Sequence, residues 1–231
     1  MKCLILGDGL LGKELVKQTG WDYVSRKKDN MDLSDISALV EITKRYDTII
    51  NCIANTDTYS DDSEQHLKVN FDFVTKLVES CNKTDKRYIH ISTDFVYSNS
   101  KPNSSETDVP VHLGTWYGYS KLLADGYIQR CSKNYLVIRC GHKEEPFKYE
   151  KAWTNQKGNF DYTSVISKLI IKLIKDEFAE GVYNVGTDVK SMYELASKTK
   201  KNVKTSTKLA NKLTPKDVTM NVSKMKKILD K

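Results

Sequence analysis

The sequence lacks the features that mark secreted, membrane-spanning and zinc-stabilised proteins. Its five cysteines are an odd number and form no CxxC pair and no Cys/His cluster, which argues against a disulfide framework and a structural zinc site. The apolar run CLIL at residues 3–6 meets a glycine at once, so it is too short for a signal peptide or a membrane span. We therefore expect a cytoplasmic protein with no bound metal and no membrane partner.

Acidic residues are scarce at the C-terminal end of the chain. Residues 198–231 contain eleven lysines against Asp217 and Asp230, a net charge of +9, whereas the whole chain carries +7. The segment contains no arginine and no aromatic residue, so base stacking and bidentate base recognition have no side chains there. We interpret it as a lysine-rich solvated face and expect no nucleic-acid partner.

Short apolar runs alternate with segments of helical periodicity along the 231 residues. The predicted strands are residues 2–6, 22–25, 47–54, 87–92, 135–140 and 181–186. The predicted helices are residues 10–19, 32–46, 63–81, 117–131, 164–175 and 191–200. This order predicts the α/β class, with a doubly wound, Rossmann-like parallel sheet and helices on both faces.

A glycine-rich turn follows the first predicted strand. LILGDGLLGKEL places Gly7, Gly9 and Gly12 between that strand and the first helix, in the pattern GxGxxG. The first glycine allows the turn, the second lets the backbone approach a pyrophosphate, and the third lets helix and strand pack closely. The pattern predicts a dinucleotide site, and the alternative is a glycine-rich turn without a ligand.

The end of the second predicted strand favours NADP over NAD. An acidic residue there would hold the adenosine ribose hydroxyls of NAD, but the strand ends in Ser25, Arg26, Lys27 and Lys28. Cations without a carboxylate suit the 2′-phosphate of NADP, so we expect NADPH to be preferred to NADH. The alternatives are a basic surface loop without this role and the use of NAD.

The segment YGYSK contains a pair of residues suited to reductase chemistry. Tyr117 and Lys121 are four residues apart and share one face of a helix, whereas Tyr119 has a leucine at that spacing. The preceding strand ends in Ser92 and Thr93. A carbonyl that receives hydride needs a hydrogen-bond donor and a proton source at its oxygen, and an ammonium lowers the pKa of a nearby phenol. The alternative is an exposed helical pair.

Several segments together resemble one enzyme family. ISTDFVY (91–97), YGYSK (117–121), DTIINCIANT (47–56) and KVNFDFVTKLVESC (68–81) are similar to characteristic segments of the extended short-chain dehydrogenases/reductases. Within that superfamily the chain most resembles the dTDP-4-dehydrorhamnose reductases and related sugar-nucleotide reductases, over nearly its whole length. The resemblance implies NADPH-dependent reduction of a 4-keto group on a dTDP- or UDP-activated deoxysugar.

The resemblance also implies roles for individual residues. Tyr117 would be the acid, Lys121 would lower the pKa of its phenol, and Thr93 would donate a hydrogen bond to the carbonyl. The implied cofactor-binding set is Gly7, Gly9, Leu10, Leu11, Gly12, Ser25, Arg26, Lys27, Asp32, Leu33, Cys52, Ile53, Ala54, Asn70, Ser92, Tyr117, Lys121 and Cys140. Substrate contacts would come from Thr93, Trp153, Asn155, Gln156 and Tyr162, and the alternative for the last four is a loop that packs its own aromatics.

The sequence departs from the family pattern in three places. The family turn is GxxGxxG, whereas here the turn is one residue shorter, the region after the fifth strand is shorter than the family's substrate-binding insertion, and Thr214 replaces a common arginine. We therefore expect a dinucleotide-binding domain at 1–140 and a reduced substrate-binding portion at 141–231, interleaved with late sheet elements. The alternatives are epimerase chemistry on this scaffold and a non-catalytic, cofactor-binding regulatory subunit. Related reductases suggest a homodimer.

Overall fold

The computed structural model of the chain describes residues 1–29, 36–209 and 211–230. The strands are β1 (Cys3–Leu6), β2 (Asp22–Val24), β3 (Thr48–Asn51), β4 (Arg87–Ile91), β5 (Tyr135–Cys140), β6 (His142–Lys143), β7 (Lys151–Trp153), β8 (Lys157–Gly158), β9 (Asp161–Tyr162), β10 (Gly181–Val185), β11 (Lys190–Ser191), β12 (Lys204–Ser206) and β13 (Asp217–Val218). The α-helices are α1 (Leu10–Thr19), α2 (Arg26–Asp29), α3 (Ile36–Thr43), α4 (Ser63–Leu67), α5 (Phe73–Thr84), α6 (Trp116–Cys131), α7 (Thr163–Lys175), α8 (Met192–Ser197) and α9 (Ser223–Leu229). A π-helical turn spans Lys68–Asp72, and a 3₁₀ helix spans Asp94–Tyr97.

The centre of the fold is a parallel sheet with the strand order β10-β5-β4-β3-β1-β2. From β1 the chain moves outward to β2, returns past β1 to β3, and continues through β4 and β5 to β10. The direction of winding therefore reverses between β1 and β3. The helices that follow β1 and β3, α1 and α5, lie on opposite faces of the sheet, so a crevice forms between the segments that leave the two strands, which is the usual ligand position in such sheets.

Helices cover both faces of the sheet because successive strand side chains point to opposite sides. In β1, Cys3 and Ile5 pack in a cluster with Leu15 of α1, Ile170 of α7 and Met225 of α9. The alternate residues of β1, Leu4 and Leu6, pack with apolar residues of α5 and α6 on the other face. The predicted doubly wound α/β architecture is confirmed.

Two predicted elements differ in detail from the structure. The helix expected at 63–81 begins after Asp62, whose side chain accepts a hydrogen bond from the Gln65 amide at 3.0 Å, but it passes through the π-helical turn before α5 and ends at Thr84. The strand expected at 47–54 ends at Asn51, whose side-chain oxygen accepts from the Ile53 amide at 3.0 Å and turns the chain. Of the helix expected at 32–46, the described part is α3.

The C-terminal portion forms a small core of its own. Short strands associate in the order β11-β8-β13, and further pairs join β12 with β7 and β6 with β9. Apolar side chains of these strands, of α8 and of the adjoining loops form a cluster that includes Phe147, Phe160, Tyr162, Leu195 and Val218. Between these strands, α7 and β10 return to the main sheet, so the two parts are interleaved along the chain. The boundary predicted at residue 140 stays a prediction.

No helix in residues 1–29, 36–209 and 211–230 combines the length and the apolarity that crossing a bilayer requires.

Candidate active site

The glycine turn after β1 is shaped by two different demands. Gly7 has φ of +97°, and a Cβ on Gly12 would overlap the carbonyl oxygen of Gly7, so these two positions are fixed by the packing of the turn itself. Gly9 is different, because no described heavy atom outside Gly9 and its two chain neighbours lies within 4 Å of the place where its Cβ would be. The open space at Gly9 lies at the start of α1, within the cavity formed at the sheet edge.

The start of α1 fits the pyrophosphate of a dinucleotide. Gly9 is the N-cap residue of α1, and no described side chain caps this end of the helix. The first amide groups of a helix lack partners within the helix and attract anions. Gly9, Leu10 and Leu11 all line the cavity, so backbone donors, open space and a helix N-terminus coincide there.

The second part of the site is the start of α6. Thr115 caps this helix by accepting a hydrogen bond from the Gly118 amide at 3.0 Å, which fixes Tyr117 in its first turn. A Cβ on Gly118 would lie 3.1 Å from the Thr115 hydroxyl and 3.4 Å from the Phe95 carbonyl oxygen. Glycine at this position therefore lets α6 approach the 3₁₀ helix after β4 closely. This approach brings Tyr117 to the carboxyl end of β4.

Thr93 and Tyr117 meet at that strand end. The Thr93 hydroxyl accepts from the Phe95 amide at 3.2 Å, and the Phe95 and Tyr117 rings lie edge to face with 5.9 Å between centroids. Burial raises the pKa of the Tyr117 phenol above its usual value, and a hydrogen bond with Thr93 acts in the opposite direction. Tyr117 therefore keeps its proton at neutral pH, which is the state that a general acid requires.

Lys121 lies one helical turn below Tyr117 and is only 1% exposed. Its amine donates to the Ile91 carbonyl at 2.7 Å and lies 2.9 Å from Nε2 of His90. Burial lowers the pKa of Lys121 to about 8, and the Asp125 carboxylate acts in the opposite direction. The expected lowering of the phenol pKa by this amine is not what the structure gives, because burial dominates the pKa of Tyr117.

These two parts enclose a cavity of about 360 Å³ at the carboxyl edge of the sheet. Of the predicted site residues, the structure brings together Gly9, Leu10, Leu11, Cys52, Ala54, Ser92, Thr93, Tyr117, Lys121 and Cys140 in its lining. The lining also includes residues that the sequence did not suggest, namely Thr56, Thr58, Ile91, Asp94, Phe95, Gly141, His142 and Lys143. The cavity runs from the start of α1, past the ends of β3 and β4, to the end of β5.

Two residues of the lining, the predicted Ser92 and the unpredicted His142, have buried polar atoms that lack a partner. Nδ1 of His142 and the hydroxyl of Ser92 are buried without a hydrogen-bond partner among the described residues. Burial lowers the pKa of His142 to about 4, so this ring is neutral at physiological pH. Asp94 could have been found from the STD motif, whereas nothing in the local sequence distinguishes His142 or Lys143.

Asn70 has a supporting place beside the cavity, not in its lining. Its side-chain oxygen accepts from the Asn55 amide at 2.8 Å, and its nitrogen donates to the Asn55 carbonyl at 3.1 Å and to the Ser120 hydroxyl at 3.0 Å. The π-helical turn carries this residue, and such wide turns are frequent at functional sites. Asn70 therefore fixes the loop after β3 against α6.

The four predicted substrate residues beyond β5 do not line the cavity. The Trp153 indole donates to the Lys208 carbonyl at 2.9 Å, and the Tyr162 hydroxyl donates to the Leu195 carbonyl at 3.0 Å. The side-chain nitrogens of Asn155 and Gln156 donate to the Thr207 and Pro215 carbonyls, at 2.9 Å and 3.2 Å. Their amide oxygens are buried without a partner in the described chain. The structure places all four in the C-terminal portion.

Asp29, which directly follows Lys28 in the sequence, brings a carboxylate back to the end of β2. The Asp29 side chain turns back and accepts from the Ser25 amide at 2.9 Å. Lys28 also folds back, donating to the Tyr23 carbonyl at 3.2 Å with its amine 4.1 Å from the Tyr23 ring centroid. Arg26 and Lys27 lie in α2. The predicted adenine contacts Asp32 and Leu33 lie outside the described residues. Gly7 and Gly12 belong to the glycine turn and Ile53 packs beside it, but these three predicted residues do not line the cavity.

A family model described as RmlD substrate binding domain matches residues 1–142. The chain belongs to this family. Sugar-nucleotide reductases and epimerases of the extended short-chain dehydrogenase/reductase type, which use NAD(P), make up the family and its structural neighbours. The membership confirms the family, the enzyme class and the fold expected from the sequence.

The relatives differ in how much of their length they share with this chain. The spore coat polysaccharide biosynthesis protein SpsK of Bacillus subtilis is 27% identical over 220 residues, which are 85% of this chain and 77% of that protein. Relatives named dTDP-4-dehydrorhamnose reductase match over less than half of their own length.

Two solved structures resemble the fold along the whole chain. A hypothetical dTDP-4-dehydrorhamnose reductase from Sulfolobus tokodaii is 26% identical with a TM-score of 0.83, covering 99% of this chain and 94% of that one. The dTDP-4-dehydrorhamnose reductase of Bacillus anthracis in complex with NADP is 22% identical with a TM-score of 0.81, covering 98% of this chain and 91% of that one.

Proposed function

We propose that this chain reduces the 4-keto group of a dTDP- or UDP-activated deoxysugar with NADPH. The observation that supports the proposal is the convergence of Thr93, Tyr117 and Lys121 on one cavity that opens at the start of α1. Gly9, Leu10 and Leu11 would hold the pyrophosphate, and Cys52, Ala54 and Lys121 would lie along the nicotinamide end. When bound, NADPH supplies the hydride to the carbonyl carbon.

The residues of the chain supply the proton and the orientation. Thr93 and Tyr117 would both hydrogen-bond the carbonyl oxygen and so fix the orientation of the carbonyl group in the cavity. As negative charge develops on that oxygen, the Tyr117 hydroxyl gives up its proton to it, and the product is an alcohol. The buried environment that raises the pKa of Tyr117 keeps this proton in place until the carbonyl demands it.

A pair of tyrosine variants tests the proposal. Tyr117→Phe removes the proton donor, and we expect turnover of a nucleotide-linked 4-keto sugar to fall by about a hundredfold or more, with binding of NADPH retained. Tyr119→Phe is the matched control, because Tyr119 is in the same helix turn but is 39% exposed and packs on Trp116 and His112. Near-normal turnover in Tyr117→Phe would refute the role.

One observation favours a second candidate, a non-catalytic subunit that binds the cofactor and a partner protein. The predicted sugar contacts Trp153 and Tyr162 are both hydrogen-bonded inside the C-terminal portion, away from the cavity. A thermal-shift screen with NADP, NAD, dTDP-sugars and UDP-sugars separates the two candidates. Stabilisation by a nucleotide-sugar supports the reductase, and stabilisation by the dinucleotides alone supports the subunit.

A further inference from the structure

A chain of buried hydrogen bonds leads away from Lys121 into the sheet. Nζ of Lys121 lies 2.9 Å from Nε2 of His90, Nδ1 of His90 lies 3.1 Å from the Tyr88 hydroxyl, and that hydroxyl lies 3.2 Å from Nδ2 of Asn51. Each of the four side chains is at most 1% exposed. This hydrogen-bond network joins α6 to β4 and β3, and the proposed proton transfer from Tyr117 makes no use of it.

At the Asn51 end of this hydrogen-bond network, the donor and the acceptor are fixed. The side-chain oxygen of Asn51 accepts from the Ile53 amide at 3.0 Å, so the side-chain nitrogen of Asn51 must face Tyr88 and donate to its oxygen. Within residues 1–29, 36–209 and 211–230, the only other partner of the Tyr88 hydroxyl is Nδ1 of His90. The hydroxyl proton therefore has Nδ1 as its single acceptor.

This direction determines which form of Lys121 completes the network. If Tyr88 donates to Nδ1, the neutral imidazole carries its proton on Nε2. Nε2 then donates a hydrogen bond to Lys121, and only a neutral amine has the lone pair that accepts it. If Lys121 is an ammonium, it donates to Nε2, the imidazole proton moves to Nδ1, and Nδ1 donates to the Tyr88 oxygen. The Tyr88 proton then has no acceptor in a buried site, which is unfavourable.

We propose that His90 and Tyr88 are positioning residues that stabilise the neutral amine of Lys121, and that the His90 imidazole exchanges tautomers when Lys121 gains a proton. The exchange takes up one proton overall: Nε2 passes its proton to the amine of Lys121 and Nδ1 gains a proton from solvent, so the imidazole is neutral before and after the exchange. Its relevance to turnover rests on the proposed function, because Lys121 lines the same cavity as Tyr117. The tautomer exchange itself is independent of catalysis.

The electrostatic surroundings agree with this geometry. Burial lowers the pKa of His90 well below its ordinary value, and the Lys121 charge acts in the same direction, so the imidazole remains neutral in both states. The groups that face the Lys121 amine from the surrounding elements are Asp125 on α6, Cys140 on β5, Cys52 after β3 and His90 on β4. Among these, Asp125 favours the ammonium, so protonation remains accessible near neutral pH.

Nuclear magnetic resonance of the imidazole nitrogens in the full, cofactor-free chain tests the proposal directly. Long-range proton–nitrogen spectra distinguish the two neutral tautomers, and His90→Gln identifies the His90 signals by their loss. We expect the Nε2-protonated form at high pH and the Nδ1-protonated form at low pH, with a midpoint of about 8, the pKa of Lys121. One unchanged tautomer across this range, or an imidazolium, would overturn the proposal.

Two variants locate the origin of the exchange. Lys121→Met should abolish it and leave one tautomer at every pH. Tyr88→Phe removes the hydroxyl that donates to Nδ1, so the midpoint should move upward by roughly half to one pH unit. A downward movement would mean that His90 serves Lys121 as an acceptor and would contradict the proposal. If either variant fails to fold, the spectra of the unaltered chain still decide the question.

The same variant tests the consequence for turnover. In Tyr88→Phe, the pH profile of kcat should shift upward together with the tautomer midpoint, while KM for NADPH changes little. A protein that shows the tautomer exchange but no reductase activity would refute the proposed function and leave the inference about His90 standing. A shift in activity without any change of tautomer would overturn the inference alone.

Discussion

The carboxyl edge of the main sheet and the C-terminal portion use their polar side chains differently. At the sheet edge, Ser92 and His142 line a cavity, and the Ser92 hydroxyl and Nδ1 of His142 have no partner in the described part of the chain. In the C-terminal portion, the Trp153 indole and the Tyr162 hydroxyl donate to backbone carbonyls, and the unpartnered amide oxygens of Asn155 and Gln156 belong to residues outside the cavity lining. Because only the first set belongs to a cavity, we interpret it as a place for a ligand, whereas the paired groups of the second set contribute to folding. The variants below test this contrast.

The glycine turn shows the contrast within a few residues, and its variants should give the largest effects. Gly12→Ala forces a methyl group against the Gly7 carbonyl, so we expect a loss of about 3 kcal/mol in the free energy of unfolding. Gly9→Ala has open space for its methyl group and should unfold like the parent chain. It should nevertheless weaken NADPH binding by roughly tenfold or more, because the methyl group meets the pyrophosphate.

Denaturant unfolding and fluorescence titration with NADPH measure these two effects separately. If Gly9→Ala binds NADPH as tightly as the parent chain, the dinucleotide does not use the start of α1. If Gly12→Ala is as stable as the parent chain, the turn can relax and the close approach of helix and strand is not required.

The buried amine predicts how stability depends on pH. The pKa of Lys121 in the folded chain is about 8, below its unfolded value, so the unfolded chain binds more protons between these two values. The contribution of this residue to stability is therefore least favourable below about pH 8 and improves as the pH rises. Relative to Lys121→Met, the parent chain should gain about 2 kcal/mol between roughly pH 8 and pH 9.5.

Urea unfolding of both chains at several pH values provides the measurement. The difference between the two chains isolates Lys121, because the other titrating groups are common to both. A difference that stays constant over this range would mean that the amine keeps its proton in the folded chain. That result would also weaken the inference that the His90 network stabilises a neutral amine.

The two regions can be compared most directly by deleting one hydroxyl from each. Ser92→Ala removes a hydroxyl that has no partner among the described residues, so the free energy of unfolding should hold while kcat/KM falls by about tenfold. Tyr162→Phe removes the hydroxyl that bonds Leu195 and Thr199, so stability should fall by about 1 kcal/mol with kcat/KM unchanged. A fall of kcat/KM in Tyr162→Phe without a loss of stability would restore this residue as a substrate contact.

The parts of the site that could be predicted are those whose signals are local. Gly7, Gly9 and Gly12 follow one strand, and Tyr117 and Lys121 share one helix face, so a short window of sequence contains each pattern. The alternation of strands and helices likewise predicts the parallel sheet. Strands of such a sheet are buried on both faces, so they appear in the sequence as short apolar runs.

The parts that escaped prediction are contacts between distant segments. Lys121 meets His90 across 31 residues, and the hydroxyl of Tyr88 meets Asn51 across 37 residues. No period or spacing in the sequence encodes such a pairing, since it depends on the order of strands and the register between them. His142 and Lys143 reach the cavity for the same kind of reason, because their position is set by where β5 ends relative to β4.

The smallest expected effect concerns the choice between NADPH and NADH at the end of β2. Asp29 accepts from the Ser25 amide and brings a carboxylate back to the end of β2, which the sequence prediction treated as purely cationic. This carboxylate is exposed and screened by solvent, so its repulsion of a 2′-phosphate is weak. Asp29→Asn keeps a hydrogen-bonding side chain and should raise the ratio of kcat/KM for NADPH over NADH by about two- to fivefold. Lys28→Gln is the matched control, because this amine is already held by Tyr23 and its loss should change the ratio less. If Asp29→Asn lowers the ratio, the carboxylate does not act on the cofactor and the preference has to be sought elsewhere in the site.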